Sequence, residues 1–123
     1  MSGDSFLLDT NIVLYLLDGD KTLSEFLFNK NLYISFITEI ELLGYSKISS
    51  KEKQIVKSFI EDCIVIDVNN EIKRDAISIR SKYNVKLGDC LIAATAAFTG
   101  FPFVTSDKGF EKIKEIDLVL YQK

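Results

Sequence analysis

Apolar runs of strand length alternate along the chain with stretches whose apolar residues recur at helical spacing, and this alternation most constrains the fold. Ser5-Phe6-Leu7-Leu8, Leu32-Tyr33-Ile34, Ile64-Val65-Ile66-Asp67-Val68, Phe103-Val104 and Leu118-Val119-Leu120 are short and rich in strand-favouring residues. Between them, Ile12 to Leu17, Leu23 to Phe28, Phe36 to Tyr45, Lys51 to Cys63, Glu71 to Tyr83, Leu87 to Thr99 and Asp107 to Ile113 predict helices. The expected class is therefore α/β, a three-layer α/β/α arrangement around a central, mainly parallel sheet of four to five short strands.

Local chemistry agrees. Asp9, Thr10 and Asn11 are all suited to cap the helix that follows the first strand, and Ile12 to Leu17 is apolar on every side, which predicts a central helix. Gly100 and Pro102 are stop signals for the helix ending at Thr99. With 123 residues, one Pro and no linker or repeat, residues 1–123 are expected to form a single domain.

The longest apolar run, Ile12 to Leu17, falls far short of the roughly 18 residues needed to span a bilayer. The first five residues carry no Lys or Arg, and Phe6-Leu7-Leu8 stops at Asp9, too soon for a secretory leader. A cytoplasmic protein is expected. Cys63 and Cys90 form no CxxC pair and read as small buried hydrophobes.

Histidine is absent, which removes Ser-His-Asp triads, Cys-His pairs and HExxH zinc sites. Catalysis must then draw on carboxylates, Lys, Tyr or Cys. With 15 Lys and Arg against 18 Asp and Glu, the net charge of −3 gives no long-range attraction to a phosphate backbone, so any nucleic-acid contact must be a local patch.

In an open parallel sheet, ligands bind beyond the carboxyl ends of the strands. Asp9 follows the first strand, Asp107 follows Phe103-Val104-Thr105-Ser106, and Asp89 opens the helix between Leu87 and Thr99. Each acid has a second reading as a helix-capping or first-turn carboxylate. Gathered at one sheet edge, however, carboxylates repel unless a cation neutralises them. Oxygen-only ligands favour Mg²⁺ or Mn²⁺ over Zn²⁺, and such an ion suits attack by water on phosphate. A fourth acid is offered by Phe36-Ile37-Thr38-Glu39-Ile40-Glu41-Leu42-Leu43-Gly44. Periodicity does not separate Glu39 from Glu41, since each lies about a quarter turn from the apolar centre at ~100° per residue.

Phe6-Leu7-Leu8-Asp9-Thr10-Asn11-Ile12 resembles the opening motif of PIN-domain ribonucleases, in particular the VapC toxins of toxin-antitoxin pairs. Three further motifs follow in order. Ile34 to Gly44 resembles the second, in which the acid directly before the leucine belongs to the metal site, here Glu41. Leu87-Gly88-Asp89-Cys90-Leu91-Ile92-Ala93-Ala94 is similar to the third, and Val104-Thr105-Ser106-Asp107-Lys108-Gly109-Phe110 to the fourth. The resemblance runs the length of the chain and departs at one point: many relatives carry a further acid where Gly109 stands.

The resemblance implies a PIN-like fold and a metal-dependent endoribonuclease in which Asp9, Glu41, Asp89 and Asp107 hold Mg²⁺ or Mn²⁺, with Thr10, Asn11 and Thr105 arranging the site. It also implies an RNA substrate such as tRNA or another structured RNA, a cognate antitoxin, and a homodimer. For RNA contact the sequence offers Lys82 and Lys86 before Asp89, besides Lys47, Lys51, Lys53 and Lys57, although a solvated helix face is the commoner role for most of these. Phe26, Phe28, Tyr45 and Phe59 are apolar enough for a partner groove, although core packing is the commoner fate of such residues.

Other acid-based chemistries fit less well. A haloacid-dehalogenase-like phosphatase needs a second Asp two positions after the first, where this chain has Asn11, and a receiver-type domain needs an N-terminal acidic pair. A PIN fold that binds RNA or serves as a scaffold without turnover is the reading that Gly109 keeps open.

Overall fold

A computed structural model describes residues 4–123; residues 1–3, part of the N-terminal stretch read above for a leader, lie outside the described residues. The elements run β1 (Ser5–Leu8), α1 (Thr10–Leu17), α2 (Lys21–Phe26), β2 (Asn31–Ser35), α3 (Phe36–Leu43), α4 (Ser50–Glu61) and β3 (Ile64–Ile66). They continue with α5 (Asn70–Lys82), α6 (Leu87–Thr99), β4 (Pro102–Thr105), a 3-10 turn (Lys108–Lys112) and β5 (Asp117–Leu120).

The five strands pair in the order β3-β2-β1-β4-β5, every ladder parallel, with Leu7 opposite both Tyr33 and Phe103. The period-two alternation of β1 divides the core in two. Leu7 and Phe103 face α5 and α6 through Ile72, Ile79, Ala93 and Ala94, while Phe6, Leu8, Ile34 and Val104 face α1, α2 and α4 through Ile12, Leu23 and Val56. Helices on both faces of a parallel sheet are the three-layer α/β/α fold that the alternation predicts.

Helix boundaries follow their caps. Ser49 and Glu52 form a reciprocal capping box that opens α4, Asn69 caps α5, and Gly100, at φ +70°, ends α6 in the left-handed region that glycine tolerates. The chain winds from β1 outward to β2 and β3, then returns to the other side of β1 for β4 and β5. The reversal lies between β1 and β4, so the carboxyl end of β1 is the switch point at which an open sheet offers a crevice.

Several expectations need correction. Helix α1 is not central: Ile12 and Val13 are buried, but Asn11 is exposed and Leu14 is 43% exposed, because the helix covers the sheet with one side only. Phe26, Phe28 and Tyr45 are not core residues. Phe28, 79% exposed, follows α2 into solvent, Tyr45 is 60% exposed after α3, and Phe26, 46% exposed, packs edge-to-face on Phe6 at 5.2 Å. Phe59 is half-buried against the core. The third strand ends at Ile66 rather than Val68, and the helix expected over Asp107 to Ile113 is the 3-10 turn. Among the described residues no helix is long and apolar enough to cross a membrane.

Candidate metal centre

Asp9 extends β1 by one position, its N–H donating to Val104 O at 2.9 Å before the chain turns into α1. Its carboxylate is 7% exposed and is held from two sides: Oδ1 accepts from the Thr10 N–H at 2.9 Å, and Oδ2 accepts from Thr105 Oγ1 at 2.6 Å. Burial pushes the Asp9 carboxyl above its ordinary range. The bonds from Thr105 and Thr10 pull it back, and the charges of Asp89 and Glu41 add to the rise.

Glu41 comes from the last turn of α3 and lies against the first residue of α1. Thr10 Oγ1 donates to Glu41 Oε1 at 2.5 Å and stands 3.0 Å from Thr38 Oγ1. A threonine hydroxyl has one proton, so with that proton on Glu41, Thr10 accepts from Thr38, which is fully buried. The chain Thr38, Thr10, Glu41 thus fixes one carboxylate as Thr105 fixes another. Of the two acids that periodicity left open, Glu41 is the one brought beside Asp9 and Asp89; Glu39 is half-buried in the first turn of α3.

Asp89 sits in the first turn of α6, partly buried. Burial raises its carboxyl above the ordinary range, Asp107 and Glu41 raise it further by repulsion, and nearby Lys86 opposes them. Asp107 is exposed before the 3-10 turn; its N–H donates to Thr105 Oγ1 at 3.0 Å, and its Oδ1 accepts from the Gly109 N–H at 2.8 Å. Capping and clustering are therefore not exclusive. Asp9 caps α1 and Asp107 caps the 3-10 turn, yet each also repels Asp89.

The donor set contains only carboxylate oxygens, the chemistry of a hard divalent cation. Among the described residues no three acids stand at the mutual spacing of a finished metal cage. Four bare carboxylates that repel one another are expected to spread until a cation draws them in. Asn11 is exposed, and the carboxylates take their hydrogen bonds from Thr10, Thr105 and Gly109 instead.

The two lysines singled out by sequence differ. Lys82 pairs with Glu115 at 2.7 Å, and Tyr83 donates to the other oxygen of that carboxylate at 2.8 Å, pinning the end of α5 to the segment before β5. Lys86 borders a cavity that also reaches Asp89, Asp107 and Lys112. Thr38 and Lys112 join the site without being marked by any motif in the sequence. Thr38 is one turn before Glu41 on the same helix, a spacing that was readable; the position of Lys112 depends on how the 3-10 turn folds back and left no local signal.

Neither cysteine is poised for chemistry. Burial pushes the Cys63 thiol up to about 11, and the buried Cys90 thiol donates to Ala76 O at 3.0 Å. Two apolar grooves lie apart from the acids. One, about 470 Å³, runs between α1 and α4 along Leu14, Tyr45, Ile48 and Ile55; the other, also about 470 Å³, runs between α5 and α6 along Ile77, Leu87 and Leu91.

Comparison with known proteins bears on the whole arrangement. The family profile described as PIN domain matches residues 6–116. The fold is similar to a toxin-antitoxin complex from Klebsiella pneumoniae, with 26% identity over 92% of this chain and 94% of that chain and a TM-score of 0.77. It is also similar to VapBC2 from Rickettsia felis bound to a DNA fragment from their promoter (23% identity, 96% and 99% coverage, TM-score 0.82). DNA-bound VapBC from Salmonella typhimurium is a third likeness (24% identity, 94% and 96% coverage, TM-score 0.80). No curated protein matches the chain.

Proposed function

The chain belongs to the PIN-domain family, and from that premise we propose that it is a metal-dependent endoribonuclease hydrolysing RNA phosphodiester bonds, the toxin of a type II, VapBC-like toxin-antitoxin pair. PIN domains are generally nucleases, and the observation that supports the reading is that Asp9, Glu41 and Asp107 each lie near enough to Asp89 for their charges to act on one another, at the carboxyl end of the sheet. The neighbours solved as toxin-antitoxin complexes support a cognate antitoxin as partner.

Asp9, Glu41, Asp89 and Asp107 would hold Mg²⁺ or Mn²⁺, which supplies positive charge and a more acidic water for attack on phosphorus. The chain's own residues prepare that step. Thr105 and the Thr10 N–H hold the Asp9 carboxylate in a fixed orientation, and Thr10, backed by Thr38, holds that of Glu41. With no histidine in the chain, no imidazole acts as general base.

The rest of the reading is a single domain over residues 1–123, a cytoplasmic setting and a homodimer. The grooves between α1 and α4 and between α5 and α6 supply apolar surface of the kind protein partners bury. One observation favours a second reading, a PIN fold that binds RNA as a scaffold without cutting it: position 109, beside Asp107, is a glycine and adds no further carboxylate. Induced expression in a bacterial host separates the two. The nuclease reading expects growth arrest with RNA degradation, relieved by Asp89→Asn at equal protein level; arrest by both proteins, or by neither, contradicts it.

A further inference from the structure

Two lysines share one cavity with two of the site's acids. It has a volume of about 260 Å³ and opens between the start of α6 and the 3-10 turn, bounded by Lys86, Asp89, Asp107, Gly109, Phe110 and Lys112. Phe110 is buried and packs edge-to-face on Phe103 at 5.0 Å, so this wall is rigid. Lys112 reaches across to the carbonyl of Asn84 at 2.9 Å, which uses one proton of its ammonium and leaves two for a ligand. Lys86 is exposed and lines the same cavity next to Asp89. Lys82 does not line the cavity.

Glycine at 109 keeps this space open. A Cβ there would stand 3.0 Å from Asp107 Oδ1, so any side chain would crowd the carboxylate that borders the cavity. The volume falls below the range of pockets for drug-sized ligands, so at most one small unit of a polymer enters it. The sign of the charge is conditional: the acids alone repel phosphate, whereas a divalent cation halves the charge of the four carboxylates and the two ammonium groups offset the remainder, which removes the barrier to a phosphate.

We infer that this cavity is the subsite for the nucleotide next to the scissile phosphate of an RNA strand, its own phosphate held by Lys86 and Lys112. The inference rests on the ribonuclease reading above. It is tested by fluorescence anisotropy of labelled single-stranded RNA with the full chain in Ca²⁺, which supplies charge at the carboxylates while activating water poorly. Lys86→Gln and Lys112→Gln are each expected to weaken binding about five- to ten-fold and to flatten the salt dependence by about 0.7 in log–log slope, the loss of one phosphate contact. Lys112→Arg keeps the charge and is expected to keep the affinity, and Lys114→Gln, outside the cavity, to bind as the wild type does.

Unchanged affinity and slope in both glutamine variants would overturn the subsite. So would an equal loss in Lys112→Arg, which makes the effect structural, or in Lys114→Gln, which makes it a general effect of charge. A wild type that binds no RNA under these conditions removes the ribonuclease reading and the subsite with it, a result distinct from the other three.

Discussion

At the scale of single residues, the site depends on short polar side chains as much as on its acids. Thr38 is fully buried and its hydroxyl bonds Thr10, so Thr38→Val removes the donor behind the Thr10–Glu41 bond without changing volume much. The expected result is a stability loss of about 1 kcal/mol and a roughly ten-fold weaker Mn²⁺ affinity by calorimetry. Thr38→Ser restores the affinity; a Val variant that binds Mn²⁺ as tightly as wild type removes Thr38 from the site. Gly109 makes a second, opposite case. Gly109→Ala has no left-handed φ to violate, so its stability should stay within about 0.5 kcal/mol of wild type, while the new Cβ displaces Asp107 and lowers Mn²⁺ affinity. Equal affinity in the alanine variant would show that Asp107 takes no part in holding the ion.

Elements were more legible in the sequence than contacts between them. Strand and helix order, the stop at Gly100 and the class of the fold followed from local chemistry, since short apolar runs separated by helical periods have few solutions other than a parallel sheet. Three of the acids were legible for the same reason, because Asp9, Asp89 and Asp107 sit at strand ends or a helix start that the pattern itself locates. Glu41 was not separable from Glu39, because the choice depends on how α3 rolls against α1, a long-range packing fact. Exposure failed for similar reasons: composition made α1 look central and Phe28 look buried, whereas the extent of each layer decides which side meets water. The element that both core halves share is the sheet. Phe103→Ala should cost about 3–5 kcal/mol, read as a lower denaturant midpoint at unchanged slope, because Phe103 is fully buried between β1, α6 and Phe110. A cost under 1 kcal/mol would mean that the α5–α6 layer is not packed as described.

For the whole molecule, the acidic end stores repulsion that folding alone does not relieve. Asp9 and Asp89 both have carboxyls raised above the ordinary 3.8, chiefly by burial, so the folded state binds their protons more tightly than the unfolded state. Their contribution is therefore most favourable at acid pH and is lost as pH rises from 3.8 through the raised values. A divalent cation offsets that loss only where the acids are ionised. Mn²⁺ should accordingly raise the melting temperature more at about pH 7 than at about pH 5; an equal rise at both would place the ion elsewhere. Light scattering on the purified protein should return twice the 13.9 kDa of the chain if the homodimer is right, and a monomeric mass at micromolar concentration would count against it. Whether these four acids form a centre that cuts RNA is decided by cleavage of a mixed tRNA and structured-RNA pool with Mg²⁺, with Mn²⁺ and with EDTA, beside Asp9→Asn. Cutting should require the metal and fall in the variant by more than the roughly 10–100-fold typical of an outer-shell partner. Cutting that persists in EDTA or in Asp9→Asn, or a wild type that leaves the pool intact with either metal, would contradict such a centre.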